Sequence, residues 1–262
     1  GYASVAEAMA GLRYITGHPD RPPVRPNLSL GDTLAGIHAA FGALMAVHHR
    51  DLRGGNRGQI VDVAIYESVF NMLESTLPEY DKLGATRERE GSKLPGIVPS
   101  STYLSQDGKY IVIGGNGDAI FKRLMNAMGR KDLAEDPRLE HNEGRVKHEE
   151  LIDGAIDGWA RTHTYQEIFD TLESAAVPCG PIYSIAEIVK DPHFKERGLY
   201  EEVEIYKGDK LKLPGIFPLL SETPGRTEWP GPPLGGHNEE ILCGRLGLSK
   251  KELANLQAEG VV

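Results

Sequence analysis

Apolar residues recur at helical spacing after residue 30, at Leu34, Ile37, Phe41, Leu44 and Met45, and Ala, Gly and Val fill most positions between them. A stretch that is apolar on every side reads as a helix buried nearly all round. A glycine turn follows at Gly54-Gly55-Asn56, then an expected strand over 59–63 and a second apolar helix over about 64–75. Upstream, residues 2–17 read as a helix with Val5, Met9 and Leu12 on one face and Gly17 as its stop. The prolines of His18-Pro19-Asp20-Arg21-Pro22-Pro23 force an extended connection into the long helix.

The pattern changes at residue 78, where charge, Gly and Pro dominate through residue 100; this segment reads as a linker. Beyond it, residues 101–105 and 110–113 alternate as two strands about Asp107-Gly108, a pair suited to a tight hairpin. Gly114-Gly115-Asn116-Gly117 then leads into an amphipathic helix over 118–128, stopped by Gly129. Two helices are expected within 144–176, a tight loop at 177–182, a short helix over 185–189, and a hairpin of 203–205 with 211–213 about Lys207-Gly208-Asp209. Eleven of the 23 residues from 214 to 236 are Pro or Gly, so that segment runs extended. The last expected helices cover 238–246 and 249–259, the second opened by the capping box Ser249-x-x-Glu252.

Composition narrows the function classes. The 262 residues carry a formal net charge of −9, which disfavours a nucleic-acid partner. Cys179 and Cys243 have no metal-ligand spacing and form no disulfide framework, which suggests a reducing, cytoplasmic setting. Cys179 lacks a neighbouring base in sequence and reads as an inert thiol. The nine histidines show no metal-binding spacing, so no metal is expected. No signal peptide is evident, and the small residues of the helix after residue 30 suit a tight core better than lipid, so no membrane partner is expected. Gly1 in place of methionine suggests a piece of something longer.

Two places carry candidate chemistry. Asp32 stands at the first turn of the long helix, where an aspartate serves as an N-cap or offers a carboxylate at a helix mouth. Residues 114–117 join a strand to a helix start, an arrangement that forms a tight turn or receives an anion. His48, His49, Arg50, Arg53 and Arg57 complement the far end of the long helix as a solvated cluster.

Several separated blocks bear on these alternatives: Leu30-Gly31-Asp32-Thr33-Leu34-Ala35-Gly36, His49-Arg50, Arg57-Gly58-Gln59, and Val61-Asp62-Val63-Ala64. In order and spacing they resemble the class III CoA-transferases, the family of formyl-CoA transferase, the carnitine CoA-transferase and the acyl-CoA racemases. The resemblance runs through Val262, but nothing here corresponds to the nucleotide-fold segment that opens a usual family chain and supplies most CoA contacts. It implies an α/β fold: the C-terminal part of a Rossmann-like large domain (1–77), the linker (78–100), a small α+β domain (101–190), and an extended return segment with C-terminal helices (191–262). It also implies that Asp32 is the acyl-accepting nucleophile, that Tyr2 lies beside it, and that Gly114, Gly115, Asn116 and Gly117 form a loop closing over it. Coenzyme A, as acyl-CoA, is then the substrate, with a free carboxylic acid, mono- or dicarboxylate, as acceptor and an interlocked homodimer as the assembly. An acyl-CoA racemase of the same superfamily and a non-catalytic subunit of a split enzyme are the alternatives.

Overall fold

The computed structural model describes residues 2–206 and 208–262, in two units, one ending at Ile182 and one spanning Tyr183–Val262. The first unit opens with four helices: α1 (Ala3–Met9), α2 (Leu30–Leu52), α3 (Ile65–Phe70) and α4 (Thr76–Leu83). A three-stranded antiparallel sheet follows, in the order β1 (Ser100–Leu104), β2 (Tyr110–Gly114), β3 (Cys179–Pro181). Between β2 and β3 run α5 (Asp118–Ala127), α6 (Lys131–Ala134), α7 (Asn142–Lys147), α8 (Glu149–Ala160) and α9 (Tyr165–Ser174).

One apolar core joins this sheet to its helices. Ile111 and Ile113 of β2 point inward at alternate positions, as a strand with one covered face requires. They meet Phe121, Leu124 and Met125 of α5, Ile152 and Ile156 of α8, and Ile168 and Leu172 of α9, all essentially solvent-free. Gly108 takes φ 77° in the β1–β2 turn, the positive value anticipated from Asp-Gly.

The second unit holds α10 (Ile185–Ile188), α11 (Pro192–Glu196), the antiparallel pair β4 (Tyr200–Tyr206) and β5 (Asp209–Pro214), a π-helical turn (Glu239–Arg245) and α12 (Lys250–Ala258). The capping box is formed: Ser249 Oγ donates to Glu252, and the Ser249 and Glu252 amides are satisfied in return. The β4–β5 hairpin is as expected, although Lys207 of its turn lies outside the described residues.

Several expectations are corrected. The long helix α2 is not buried all round: Ile37, Phe41, Leu44 and Met45 are between 56% and 68% exposed. Its periodicity is real, but the described residues cover only the side facing α1 and α3. By length and composition α2 could cross a membrane, with a mean hydropathy of 1.4 in its most apolar window. Residues 59–63 form no strand, because among the described residues no neighbouring strand pairs with them; Ile60 is 93% exposed. The helix expected over 64–75 stops at Phe70, and α4 begins at Thr76 and runs into the expected linker, with Pro78 tolerated in its first turn. In α1 the buried face is Ala3, Glu7 and Ala10 rather than Val5 and Met9, since small residues let the helices approach closely. The strand β3 and helices α6 and α11 were not anticipated, and the first helix expected within 144–176 is broken at His148 into α7 and α8; β3 is too short to show a period.

Two helical glycines give opposite expectations. A Cβ on Gly144 would fall 1.9 Å from the Arg138 carbonyl oxygen, whereas one on Gly154 would meet nothing within 4 Å. Gly144→Ala is expected to destabilise by about 1–3 kcal/mol through overpacking. Gly154→Ala is expected to stabilise by roughly 0.5–1 kcal/mol through helix propensity. Urea denaturation of the two variants checks the pair.

Candidate functional site

Asp32 is the third residue of α2 and is solvent-exposed. It is not the N-cap; that position belongs to Ser29, whose side chain makes no capping bond. Among the described residues the Asp32 carboxylate has no hydrogen bond or ion pair. The residue before it is held tightly. Gly31 is buried, and a Cβ there would lie 3.0 Å from Ile65 Cγ2, 3.3 Å from Glu7 Cγ and 3.4 Å from Val69 Cγ2. Glycine at this position is what allows α1, α2 and α3 to meet. The Gly31 amide donates to Glu7 Oε1 at 3.1 Å. A free carboxylate therefore projects from a fixed helix start.

Tyr2 is the N-cap of α1 and 82% exposed. The structure sets it and Asp32 at the starts of two helices that pack on one another. No hydrogen bond joins them among the described residues.

The glycine loop belongs to the other core of this unit, with the sheet. The Gly114 amide donates to the Pro178 carbonyl and the Gly115 amide to the Pro99 carbonyl, each at 2.9 Å. Gly115 is buried, and a Cβ there would lie 2.6 Å from Leu124 Cδ2. These two amides are spent on the scaffold. Among the described residues the amides of Asn116 and Gly117 have no partner, and Gly117 caps α5. The half of the loop that can receive a negative oxygen is thus 116–117 together with the first turn of α5.

Arg145, on α7, fixes that half. Its guanidinium is fully buried and uses all its donors: Nε to the Val98 carbonyl, Nη1 to the carbonyls of Leu139 and Glu140, and Nη2 to the Asn116 carbonyl at 2.6 Å and Asp118 Oδ1 at 2.8 Å. It also lies over the Phe121 ring, 5.0 Å from its centroid. His141 Nδ1 completes the group at 3.0 Å from Asp118 Oδ2. Hydrogen bonds from His141 and then Arg145 hold the Asp118 carboxyl below the usual carboxylate range, and the Asp118 bond holds His141 above the usual imidazole value. Sequence reading missed Glu7, Asp118, His141 and Arg145. The signal for Glu7 was present, a charged residue in the Ala3–Ala10 small-residue stripe; Arg145 lies in an ordinary polar stretch and gave none.

Cys179 is partly buried, and burial pushes its thiol upward, consistent with an inert residue. Among the described residues no group of three or more His, Cys, Asp or Glu could hold a metal ion.

With this geometry in view, the comparisons with known proteins are decisive for the family. Residues 1–238 match the family described as CoA-transferase family III. The chain belongs to that family. It is 44% identical to succinyl-CoA–D-citramalate CoA-transferase of Chloroflexus aurantiacus, over 100% of this chain and 65% of that protein. It is 36% identical to the alpha subunit of succinyl-CoA–L-malate CoA-transferase of Chloroflexus aurantiacus, over 100% of this chain and 61% of that subunit. A CAIB/BAIF family protein from Brucella suis, known as a crystal structure, superposes with a TM-score of 0.73 at 27% identity, over 93% of this chain and 62% of that one. The chain therefore spans less than two thirds of the length of these relatives. The mixed helix-and-sheet fold is that of the CaiB/BaiF proteins, as the family resemblance implied.

A pH dependence follows from His141. Its folded value is raised, so the His141–Asp118 bond contributes fully below the unfolded value of about 6.5 and is lost as pH rises through the folded value. An NMR titration is expected to place the His141 midpoint above about 6.5. His141→Gln is expected to flatten the corresponding fall in stability above that pH.

Proposed function

We propose that this chain carries the acyl-accepting part of a CoA-transferase that moves CoA from an acyl-CoA donor to a free carboxylic acid, with Asp32 as the nucleophile. The observation that carries the reading is the unpartnered, exposed Asp32 carboxylate on a rigid helix start, in a chain of CoA-transferase family III. A carboxylate suits the task because its attack on a thioester gives an anhydride of comparable energy.

In the proposed reaction, an Asp32 oxygen attacks the donor's thioester carbon. The C–S bond breaks, leaving an acyl-aspartyl anhydride and CoA thiolate. Thiolate attack on the aspartyl carbonyl releases the donor acid. The acceptor carboxylate then enters by the reverse of these steps and departs as the new thioester. Each step places negative charge on a tetrahedral oxygen. The free amides of Asn116 and Gly117 suit that charge, and one such donor is typically worth about 3 kcal/mol. Water must be excluded while the anhydride exists, which gives a glycine loop that closes over Asp32 a second purpose. The loop and Asp32 belong to different cores here, so their meeting is assigned to the assembled enzyme, with Tyr2 beside the acyl group.

The relatives' names concern succinyl-CoA with citramalate or malate, which supports a dicarboxylate acceptor. The uncovered apolar face of α2 supports an assembly in which further protein covers it, an intertwined homodimer in this reading, located in the cytoplasm. The alpha-subunit name of one relative favours a second arrangement, in which an unlike subunit completes the enzyme.

The test is Asp32→Ala with succinyl-CoA as donor and citramalate or malate as acceptor. Turnover is expected to fall by at least about 10³-fold with the fold retained, as for loss of a nucleophile. Peptide mass analysis of wild-type protein quenched with succinyl-CoA is expected to show an acyl or CoA adduct on the Asp32 peptide. Persisting turnover in the variant would remove Asp32 from the chemistry.

A further inference from the structure

Glu7 is the one carboxylate that is fully buried among the described residues, and nothing in the reaction consumes it. Burial of a charged group away from water is costly unless its partners compensate, so such a residue marks a place where geometry matters more than stability. Two of its three partners, the Gly31 amide and Arg25, lead toward Asp32. Oε1 accepts the Gly31 amide, one residue before Asp32, at 3.1 Å. Oε2 makes no hydrogen bond and lies 3.8 Å from Arg25 Nε and 3.9 Å from Arg13 Nε. Arg25 in turn donates through Nη2 to the Leu28 carbonyl at 2.9 Å and through Nε to the Pro26 carbonyl at 3.3 Å, within the connection that enters α2.

We propose that Glu7 is a positioning residue for Asp32: one carboxylate oxygen anchors the start of α2 and the other, through Arg25, anchors the segment that leads into it. The assignment rests on Asp32 being the acyl acceptor. An N-terminal helix turn ordinarily frays and leaves its first amides to water. Here the amide beside the nucleophile is bonded from across the α1–α2 contact, and Gly31 has no side chain to hold the helices apart. The first turn of α2 is therefore fixed at the one place where a displacement of the attacking oxygen would matter. A misplacement of about 1 Å can cost on the order of 100-fold in rate.

The experiment compares Glu7→Ala, Glu7→Gln and Arg25→Met in the assembled enzyme, with succinyl-CoA and citramalate as substrates and Asp32→Ala as control. Glutamine keeps an oxygen for the Gly31 amide but gives up the charge pairing with Arg25, so Glu7→Gln is expected to lose only about as much kcat as Arg25→Met, several-fold. Glu7→Ala is expected to lose between about 10- and 100-fold in kcat per folded chain with KM for succinyl-CoA unchanged. Arg25→Met alters a side chain that is 37% exposed and is expected to lose several-fold in kcat alone. Hydrogen exchange at the Gly31 amide is expected to quicken in Glu7→Ala and not in Glu7→Gln. Wild-type kcat per folded chain in Glu7→Ala overturns the assignment, as does a Glu7→Gln variant as impaired as Glu7→Ala. Should Glu7→Ala fail to fold, wild-type kcat in Arg25→Met overturns it. If Asp32→Ala keeps its activity, or wild type has none with these substrates, the catalytic reading fails first and the assignment falls with it.

Discussion

The buried guanidinium of Arg145 is the constraint on which the sheet-containing core depends. A charge of that size in the interior costs several kcal/mol unless it is fully paired. Arg145 is paired through five hydrogen bonds, four to carbonyls and one to Asp118, and together they join four places in the chain. The segment before β1, the glycine loop, the turn before α7 and the start of α5 are held in one arrangement. Hydrophobic packing alone would permit these loops to slide. A planar fork of donors does not, because each displaced carbonyl would leave a buried N–H unpaired.

The consequence for the site is a division of labour within four residues. Gly114 and Gly115 give their amides to Pro178 and Pro99 and accept close neighbours, so they belong to the scaffold. Asn116 is held by its carbonyl, and its amide and that of Gly117 remain free. A rigid base with a free rim suits a loop that must present donors without reorganising. The helical core follows the same logic with the opposite charge. There a buried carboxylate, Glu7, grips an amide, and the exposed carboxylate of Asp32 is left without partners. Each core spends a buried charge to fix a short backbone segment.

The apolar surface of α2 gives the structure its unfinished side. Monomeric proteins seldom expose contiguous large apolar side chains on this scale. Ile37, Phe41, Leu44, Met45 and Ile60 are all open, and residues 59–63 are extended without a partner. Among the described residues nothing covers these side chains or pairs with this backbone.

The sequence by itself determined α5 and α9 of the sheet-containing core, the Asp-Gly hairpin, the Ser249 capping box and the family to which Asp32 and the glycine loop point. These are set by local spacing, by φ preferences and by blocks that survive in order, all of which a linear chain displays. Tertiary structure decided which faces are covered. Periodicity shows that a helix has an apolar side but not whether anything lies against it, so α2 read as buried and α1 was given the wrong inner face. It also decided that β3 pairs with β2, that Gly114 and Gly115 are already bonded, and that Glu7 and Arg145 are interior charges. Arg145, in a polar stretch, looks like solvent-facing surface until other segments close around it, because most of its partners are backbone carbonyls away from it in sequence.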